Sequence, residues 1–282
     1  MKKYGFGADV GGTTIKMGLF EMDGTLVEKW EIPTDTTEKG AHILQDIAAT
    51  VHGKMVENDL TKDMVEGIGI GVPGAVDKDG VVNRAVNLGW DIVPLAEELG
   101  KLSGMKVKVG NDANVAALGE MWRGGGMGFT DIVMVTLGTG VGGGIIANGQ
   151  LVRGVHFTAG EYSFVNTNAE AWDAPDQNMA CQCSTKYLLK WYRARKGLPA
   201  DAPMNGKLFF DAANAAEPEA LEVLERFCKM VAVQIYNLTV LLDVEKVAIG
   251  GGISKQPLLL ESLRSAYDGL YASRAGQAYM EG

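Results

Sequence analysis

The chain has 282 residues, of which 46% are apolar, and this length suits two ordinary domains. Its 35 Asp and Glu residues outnumber 26 Lys and Arg residues, and the net charge of −9 gives no electrostatic basis for binding nucleic acid or an anionic membrane. No apolar run approaches the ~20 residues of a membrane helix, and no signal peptide precedes Asp9. Three cysteines do not make a disulfide framework, so we expect a cytoplasmic protein.

Two segments share the plan strand, glycine-rich turn, strand, and they lie at residues 6–20 and 132–146. Glycines at such a turn let backbone N–H groups approach a ligand closely, and N–H groups clustered with hydroxyls suit phosphate oxygens. One such turn is a weak signal, whereas two, each opening one half of the chain, indicate a duplicated domain that closes on a nucleotide. The pattern predicts a phosphotransferase.

The other elements repeat a common order. The first half is predicted to continue with a strand at residues 26–32, a helix at 40–56 and a buried strand at 67–74. A short helix at 93–102 follows, and then a strand at 106–110 that leads into a helix at 111–122. After the second hairpin we expect an irregular region, two helices and a strand, at residues 153–184, 185–196, 217–242 and 244–249.

The order β-β-β-α-β-α therefore occurs twice, with insertions. It favours the duplicated α/β fold shared by actin, the heat-shock ATPases and the sugar kinases, with two domains around a ligand cleft. We expect the first domain at residues 1–118, on the sugar side, and the second at residues 119–282, on the nucleotide side. A hinge is expected near residues 114–128, where three consecutive glycines occur.

Asp9 ends the first strand directly before a glycine turn. A carboxylate there is suited to hold Mg²⁺, through water, beside the β- and γ-phosphates of ATP. The alternative is an aspartate that only caps the turn. The other residues expected at the nucleotide are Gly11, Gly12, Thr13, Thr14, Gly138, Thr139, Gly140 and Lys16, the last of which is otherwise a solvated strand residue.

Asp112 is the strongest catalytic candidate. A strand that ends in Val-Gly delivers Asn111 and Asp112 to the start of a helix, at the mouth of the predicted sheet. Transfer from ATP to a hydroxyl needs a carboxylate that accepts the hydroxyl proton. Helix capping is the alternative role, and one residue can cap while the next faces the ligand.

Three loop segments are weaker candidates. Asn87 and Glu161 carry an amide and a carboxylate that can bind vicinal sugar hydroxyls, although each alone is more typical of an ordinary loop residue. The glycines Gly250, Gly251 and Gly252 follow a strand and either pass beneath an adenosine or form only a tight β-to-α turn.

These motifs resemble the ROK family (repressors, open reading frames, kinases), and within it the glucokinase-like sugar kinases. The matching runs lie in the family's order at residues 9–16, 69–74, 87–90, 111–114, 137–144 and 249–252. The resemblance implies ATP- and Mg²⁺-dependent phosphorylation of a hexose 6-hydroxyl, with Asp112 as base and Gly71, Asn87, Asn111 and Glu161 at the sugar. Because repressor members carry an N-terminal winged helix and the first strand here begins close to Met1, the kinase branch is favoured. The resemblance also suggests a homodimer through the second domain.

The chain departs from the family pattern in three places. The run Ala-Gly-Glu-x-Gly-His is present at residues 159–164 with Ser163 and Phe164 as its last two residues. The zinc-binding run is reduced to Cys181 and Cys183, and two thiolates cannot complete a tetrahedral site, so we expect no structural zinc. The family's final helix is not recognised before Gly282, which predicts marginal stability.

Several activities fit these motifs. A glucokinase is the simplest, because the phosphate and base residues remain. The glutamate that contacts the sugar near its anomeric end is missing with the zinc run, so a β-glucoside kinase or a kinase of another hexose is an alternative. A sugar-binding regulatory protein without turnover is favoured by the lost histidine and disfavoured by the intact Asp112.

Overall fold

The computed structural model describes residues 2–273, which form two compact units. The first unit comprises the residues up to Ala116 together with Arg153–Ala159. The second comprises Ala117–Val152 together with the residues from Gly160 onward. No helix within the described range is both long and apolar enough to cross a membrane.

The first unit is built on a five-stranded sheet. Its elements are β1 (Tyr4–Val10), β2 (Thr14–Glu21), β3 (Leu26–Pro33), α1 (Ile43–Glu57), β4 (Val65–Val72), β5 (Ala75–Val76), β6 (Val82–Asn83), β7 (Ile92–Val93), α2 (Leu95–Ser103), β8 (Val107–Asn111) and the start of α3 (Asp112–Arg123). The strand order is β3-β2-β1-β4-β8, and β5, β6 and β7 form a separate small sheet. Strands β1, β2 and β3 are antiparallel, whereas β4 and β8 run parallel to β1.

The register of the parallel strands positions the polar residues at their ends. Asp9 lies beside Gly71, and Gly71 lies beside Gly110. Because the carboxyl ends of parallel strands meet at one edge of a sheet, Asp9 and the residues after Gly110 share that edge. The core beneath it is apolar; α1 contributes Ile43, Ile47 and Val51, which are spaced four residues apart and fully buried.

The second unit contains a four-stranded sheet. Its elements are β9 (Ile132–Leu137), β10 (Val141–Ala147), β11 (Gln150–Leu151), α4 (Met179–Cys183), α5 (Thr185–Arg195), α6 (Gly206–Asn214), α7 (Pro218–Leu242), β12 (Lys246–Gly250) and α8 (Pro257–Ala272). The strand order is β11-β10-β9-β12, with β12 parallel to β9. Strand β9 is buried on both faces: Val133, Val135 and Leu137 join the helical core, and Met134 packs in a smaller cluster with Ala117.

The structure corrects two helix starts of the sequence prediction and adds several elements that it omitted. The helix predicted from residue 40 begins at Ile43, because Glu38, Lys39 and Gly40 have φ values of 49°, 61° and 69° and leave the helical region. The short helix predicted from residue 93 begins at Leu95, since Ile92–Val93 forms β7 before Pro94. Helices α4, α6 and α8 and the two-residue strands β5, β6, β7 and β11 were not predicted.

Candidate functional site

The turn between β1 and β2 holds the first group of predicted nucleotide contacts. The Gly11 N–H donates to the Thr14 carbonyl at 3.1 Å, which closes the turn. Thr34, just after β3, supports it from outside: its Oγ1 donates to the Gly11 carbonyl at 2.7 Å and its N–H donates to the Thr13 carbonyl at 3.0 Å. Sequence reasoning missed Thr34, because nothing in the local pattern connects it with a turn 23 residues earlier.

Asp9 and Lys16 lie directly opposite each other on β1 and β2. Opposed residues of an antiparallel pair project to the same face of the sheet, so both side chains flank the turn on one side. Both residues are exposed. The carboxylate and the ammonium group are therefore accessible to a charged ligand.

The start of α3 divides two roles between neighbouring residues. The Asn111 Oδ1 accepts a hydrogen bond from the Asn114 N–H at 3.1 Å, and the Asn111 Nδ2 donates to the Gly74 carbonyl at 3.2 Å. Asn111 thus caps the helix and ties it to the turn that follows β4. The Asp112 Oδ1 accepts from the Ala113 N–H at 2.7 Å, and the residue remains exposed.

Two glycines set the position of Asp112. A Cβ atom on Gly71 would lie 2.7 Å from Val115 Cγ2 and 3.5 Å from the Asp112 Cα, and one on Gly110 would lie 2.6 Å from Val115 Cγ1. Val115 therefore occupies the space above both strands, and the first turn of α3 sits directly on the sheet edge. Gly71, which was predicted to contact the sugar, also makes this packing contact.

The environment of the Asp112 carboxyl raises its pKa. The main cause is desolvation by the protein atoms crowded around the carboxyl group, even though the residue opens to solvent. The negative charge of Asp9 acts in the same direction, while hydrogen bonds from the Ala113 backbone and Asn111 oppose it. Asp9 is thus near enough to interact electrostatically with Asp112.

Asn87 belongs to the same unit and lies against the glycine turn at residues 11–14. A Cβ atom on Gly12 would be 3.4 Å from the Asn87 carbonyl oxygen. Asn87 is exposed, between the buried residues Leu88 and Ala85, and the nearby Trp90 Nε1 donates to the Gly40 carbonyl at 3.2 Å. The first unit thus brings together Asp9, the turn at residues 11–14, Asn87, Asn111 and Asp112.

The second unit holds the other glycine turn. The Gly138 N–H donates to the Gly140 carbonyl at 3.0 Å between β9 and β10. Thr185, the first residue of α5, donates through Oγ1 to the Leu137 carbonyl at 3.0 Å and through its N–H to the Gly138 carbonyl at 2.9 Å. Thr185 was not predicted, since it is 48 residues away in sequence.

The third glycine turn lies against the end of β9. Gly251 has a φ of 93°, and a Cβ atom there would lie 2.3 Å from the Leu137 carbonyl oxygen. Only glycine fits this combination of backbone conformation and close approach. The turns at residues 138–140 and 250–252 are therefore neighbours. Glu161 is half-buried and precedes a short 3-10 turn, Tyr162–Phe164.

The cysteines do not form a recognisable metal site. Cys181 and Cys183 are two residues apart on α4, so they project to nearly opposite sides of the helix. Burial raises the pKa of the Cys183 thiol to about 12, whereas zinc requires a thiolate. Within residues 2–273, no three His, Cys, Asp or Glu side chains are grouped closely enough to hold a metal ion.

A duplicated pair of units with a glycine-rich hairpin in each, and an aspartate at a helix start beside one of them, defines an ATP-dependent sugar kinase of the actin-like fold. The ROK glucokinase of Streptomyces griseus, solved with glucose and AMPPNP, has this fold; it is 29% identical, has a TM-score of 0.77, and the match covers 94% of this chain and 88% of that one. The ROK family model matches residues 5–281. The chain belongs to the ROK family.

Two curated relatives are similar over most of their length. A glucokinase of Halalkalibacterium halodurans is 37% identical over 270 residues, which cover 88% of this chain and 80% of the relative. A β-glucoside kinase of Klebsiella pneumoniae is 30% identical over 264 residues, which cover 91% of this chain and 84% of the relative. The sequence-based assignment to the ROK family and to its sugar kinases is confirmed.

Proposed function

We propose that this protein transfers the γ-phosphoryl group of ATP to the 6-hydroxyl of a hexose, with glucose as the main acceptor. The observation that carries the proposal is the position of Asp112, at the start of α3 and within the electrostatic influence of Asp9. The similarity to glucokinases supports glucose as the acceptor.

Asp112 acts as the general base. Its carboxylate accepts the proton of the 6-hydroxyl while the hydroxyl oxygen bonds to the γ-phosphorus and the bond to the β-phosphate oxygen breaks, which releases ADP. The raised pKa suits this role, because a base whose pKa lies nearer the working pH accepts a proton more readily. A base of this kind contributes about 100- to 10,000-fold to the rate.

The glycine turns bind the phosphates through backbone N–H groups. In the first unit the turn comprises Gly11, Gly12, Thr13 and Thr14, with Lys16 beside it; in the second it comprises Gly138, Thr139 and Gly140, with Gly250, Gly251 and Gly252 beneath the adenosine. Because the N–H groups of Gly11 and Gly138 close their own turns, the other N–H groups and the threonine hydroxyls contact the phosphates. Asp9 fits a Mg²⁺ role, since it is an exposed oxygen donor close to a second carboxylate, and it would hold the ion through water. When bound, the ion neutralises charge on the β- and γ-phosphates.

The sugar is held by amide and carboxylate groups. We assign Asn87, Asn111 and Glu161 to its hydroxyls, with Gly71 keeping space at the sheet edge. The Asn111 Oδ1 keeps one acceptor lone pair beyond its bond from the Asn114 N–H, and Asn87 is exposed. We further propose a cytoplasmic enzyme that forms a homodimer through its second unit.

A β-glucoside kinase is the second candidate. Phe164 occupies the place of the family's histidine, three residues after Glu161, and it is 82% exposed. An exposed aromatic ring offers a stacking surface for a group attached at O1. The K. pneumoniae relative bears this activity in its name.

The test is ADP release from Mg-ATP with glucose, mannose, fructose, N-acetylated hexosamines and β-glucosides. We expect the highest kcat/KM on glucose, with all turnover dependent on Asp112. A preference for β-glucosides would favour the second candidate. If no sugar of the panel causes ADP release while sugar binding is retained, the proposal is overturned and a regulatory protein is indicated.

A further inference from the structure

The segment Gly160–Phe164, which contains Glu161, is seated directly on strand β10. Gly160 has a φ of 86°, and a Cβ atom there would lie 3.0 Å from the Gly143 carbonyl oxygen. The ring of Tyr162 fills the space that a side chain at Gly143 would need, where a Cβ atom would lie 2.2 Å from Tyr162 Cε2. Tyr162 is 3% exposed, so this contact is part of the core.

Ser163 adds two hydrogen bonds between this segment and the nucleotide turn. The Val141 N–H donates to the Ser163 Oγ at 3.2 Å, and the Ser163 Oγ donates to the Val141 carbonyl at 2.8 Å. Val141 directly follows the turn at residues 138–140, and a Cβ atom on Gly140 would lie 3.3 Å from the same hydroxyl. One hydroxyl thus fixes the point where the turn enters β10.

We infer that Ser163 is a positioning residue that couples the sugar contact Glu161 to the nucleotide turn Gly138–Gly140. Only Tyr162 separates Glu161 from Ser163, whose hydroxyl holds the turn, and both residues belong to one short segment packed on β10. Displacing the segment therefore moves both contacts together. The inference rests on the proposed function, because it assigns Glu161 to the sugar and the turn to ATP.

The coupling depends on the side chain present at position 163. The family run that residues 159–164 resemble has glycine where this chain has Ser163. Glycine has no side chain that could bond both polar groups of Val141. The coupling therefore follows from this chain's own residue and its contacts.

Thr185 provides a matched comparison. Its hydroxyl holds the same turn from the opposite flank, through Leu137, but it belongs to α5 and not to the segment with Glu161. Loss of the Thr185 hydroxyl should loosen the turn alone. Loss of the Ser163 hydroxyl should loosen the turn and the sugar contact.

The experiment measures Kd for AMPPNP and for glucose by calorimetry, and KM for both substrates, in Ser163→Ala, Thr185→Val and the wild type. We expect Ser163→Ala to raise Kd and KM for both ligands by about 5- to 30-fold, the effect of losing hydrogen bonds and leaving one donor unpaired. Thr185→Val should raise only the nucleotide values. Ser163→Thr, which keeps a hydroxyl, should restore most of both.

Thr239→Ala serves as the control for a lost hydroxyl, because the Thr239 hydroxyl bonds only the Ile235 carbonyl within α7 among the described residues. The Kd and KM values of this variant should match those of the wild type. If Ser163→Ala raises the Kd of only one ligand or of neither, the proposed coupling is wrong. A lower melting temperature with unchanged Kd values would show that Ser163 has a structural role only. If the wild type turns over no sugar, the proposed function fails, while the Kd values still decide the coupling. A wild type that binds neither ligand overturns both.

Discussion

At the scale of single residues, the site depends on side chains whose surroundings change their chemistry. Asp112 is an aspartate like many others in the sequence, but crowding and the charge of Asp9 raise its pKa. Residue type and strand position were enough to predict Asp112 as a candidate. The supporting hydroxyls of Thr34, Ser163 and Thr185 were not predictable, because each bonds to backbone 22 to 48 residues away.

Replacing Asp112 by Asn should abolish turnover without harming the fold. We expect kcat to fall about 100- to 10,000-fold. The raised pKa means that the folded state disfavours the ionised carboxylate, which therefore destabilises the fold. This destabilisation is complete above the raised pKa. It is absent at acid pH, where the carboxyl group is protonated in both the folded and the unfolded state. The melting temperature of Asp112→Asn at pH 7.5 should therefore equal or exceed that of the wild type.

The same pKa shift sets the acidic limit of activity. In the wild type, kcat should decline as pH falls through a pKa above the ordinary aspartate value of about 3.9. A pH–rate profile with saturating substrates measures this limit. If the apparent pKa on the acidic side of the profile lies at or below the ordinary aspartate value, the assignment of Asp112 as a desolvated base is contradicted.

Tyr162 offers a change that should stabilise the protein. Its hydroxyl is buried and has no hydrogen-bond partner among the described residues, and burial raises its pKa. Tyr162→Phe keeps the ring in its contact with Gly143 and removes the unpaired polar group, which costs about 1–3 kcal/mol when buried. Urea denaturation should show an unfolding free energy higher by about 1 kcal/mol, and a decrease would reveal a bond that the hydroxyl makes.

At the scale of elements, the sequence predicted the parts that carry strong periodicity or glycine signals. Both hairpins, the parallel strands β4, β8 and β12, and helices α5 and α7 were expected near their observed positions. Strands β5, β6 and β7 have two residues each, too few to show a period. Helix α8 was not predicted, although it carries a signal, with Pro257 at its start and buried Leu259 and Leu263 four residues apart.

The fit between β4 and α3 can be tested by adding one methyl group. Gly71→Ala would push against Val115, as the 2.7 Å separation shows, and should cost about 1–3 kcal/mol of stability while displacing Asp112 and lowering kcat. Adding Val115→Ala should recover part of both losses, which a double-mutant cycle measures.

Gly69 provides the control for this pair. It lies on the same strand, and the nearest atom to a Cβ there is the Phe6 carbonyl oxygen at 3.9 Å. Gly69→Ala should leave stability and kcat close to wild type. Equal effects at Gly69 and Gly71 would mean that loss of glycine itself, and not the contact with Val115, is responsible.

At the scale of the whole molecule, each unit contains its own apolar core. Ile47 is fully buried in the core of the first unit, and Phe209 is fully buried in the core of the second. Chains with two such cores commonly depart from two-state unfolding. The repeated element order predicted domains at residues 1–118 and 119–282, and Arg153–Ala159, which belong to the first compact unit, carry no sequence signal for that placement.

Shortening a buried side chain in one core should therefore affect only the thermal unfolding transition of that unit. Ile47→Ala should cost about 2–5 kcal/mol and Phe209→Ala about 3–5 kcal/mol. In scanning calorimetry we expect two transitions, with each variant lowering the midpoint of only one. A single transition that both variants shift equally would show that the units unfold together.

The pairing of β12 with β9 has a consequence for synthesis on the ribosome. Ile132 pairs with Lys246, so the apolar strand β9 emerges long before its parallel neighbour. At about 5–20 residues per second, that interval is on the order of 10 s, during which one edge of β9 stays unpaired. A nascent chain in this state is open to chaperones and to association with other copies, so the spacing between these two strands sets how long each newly made molecule is at risk.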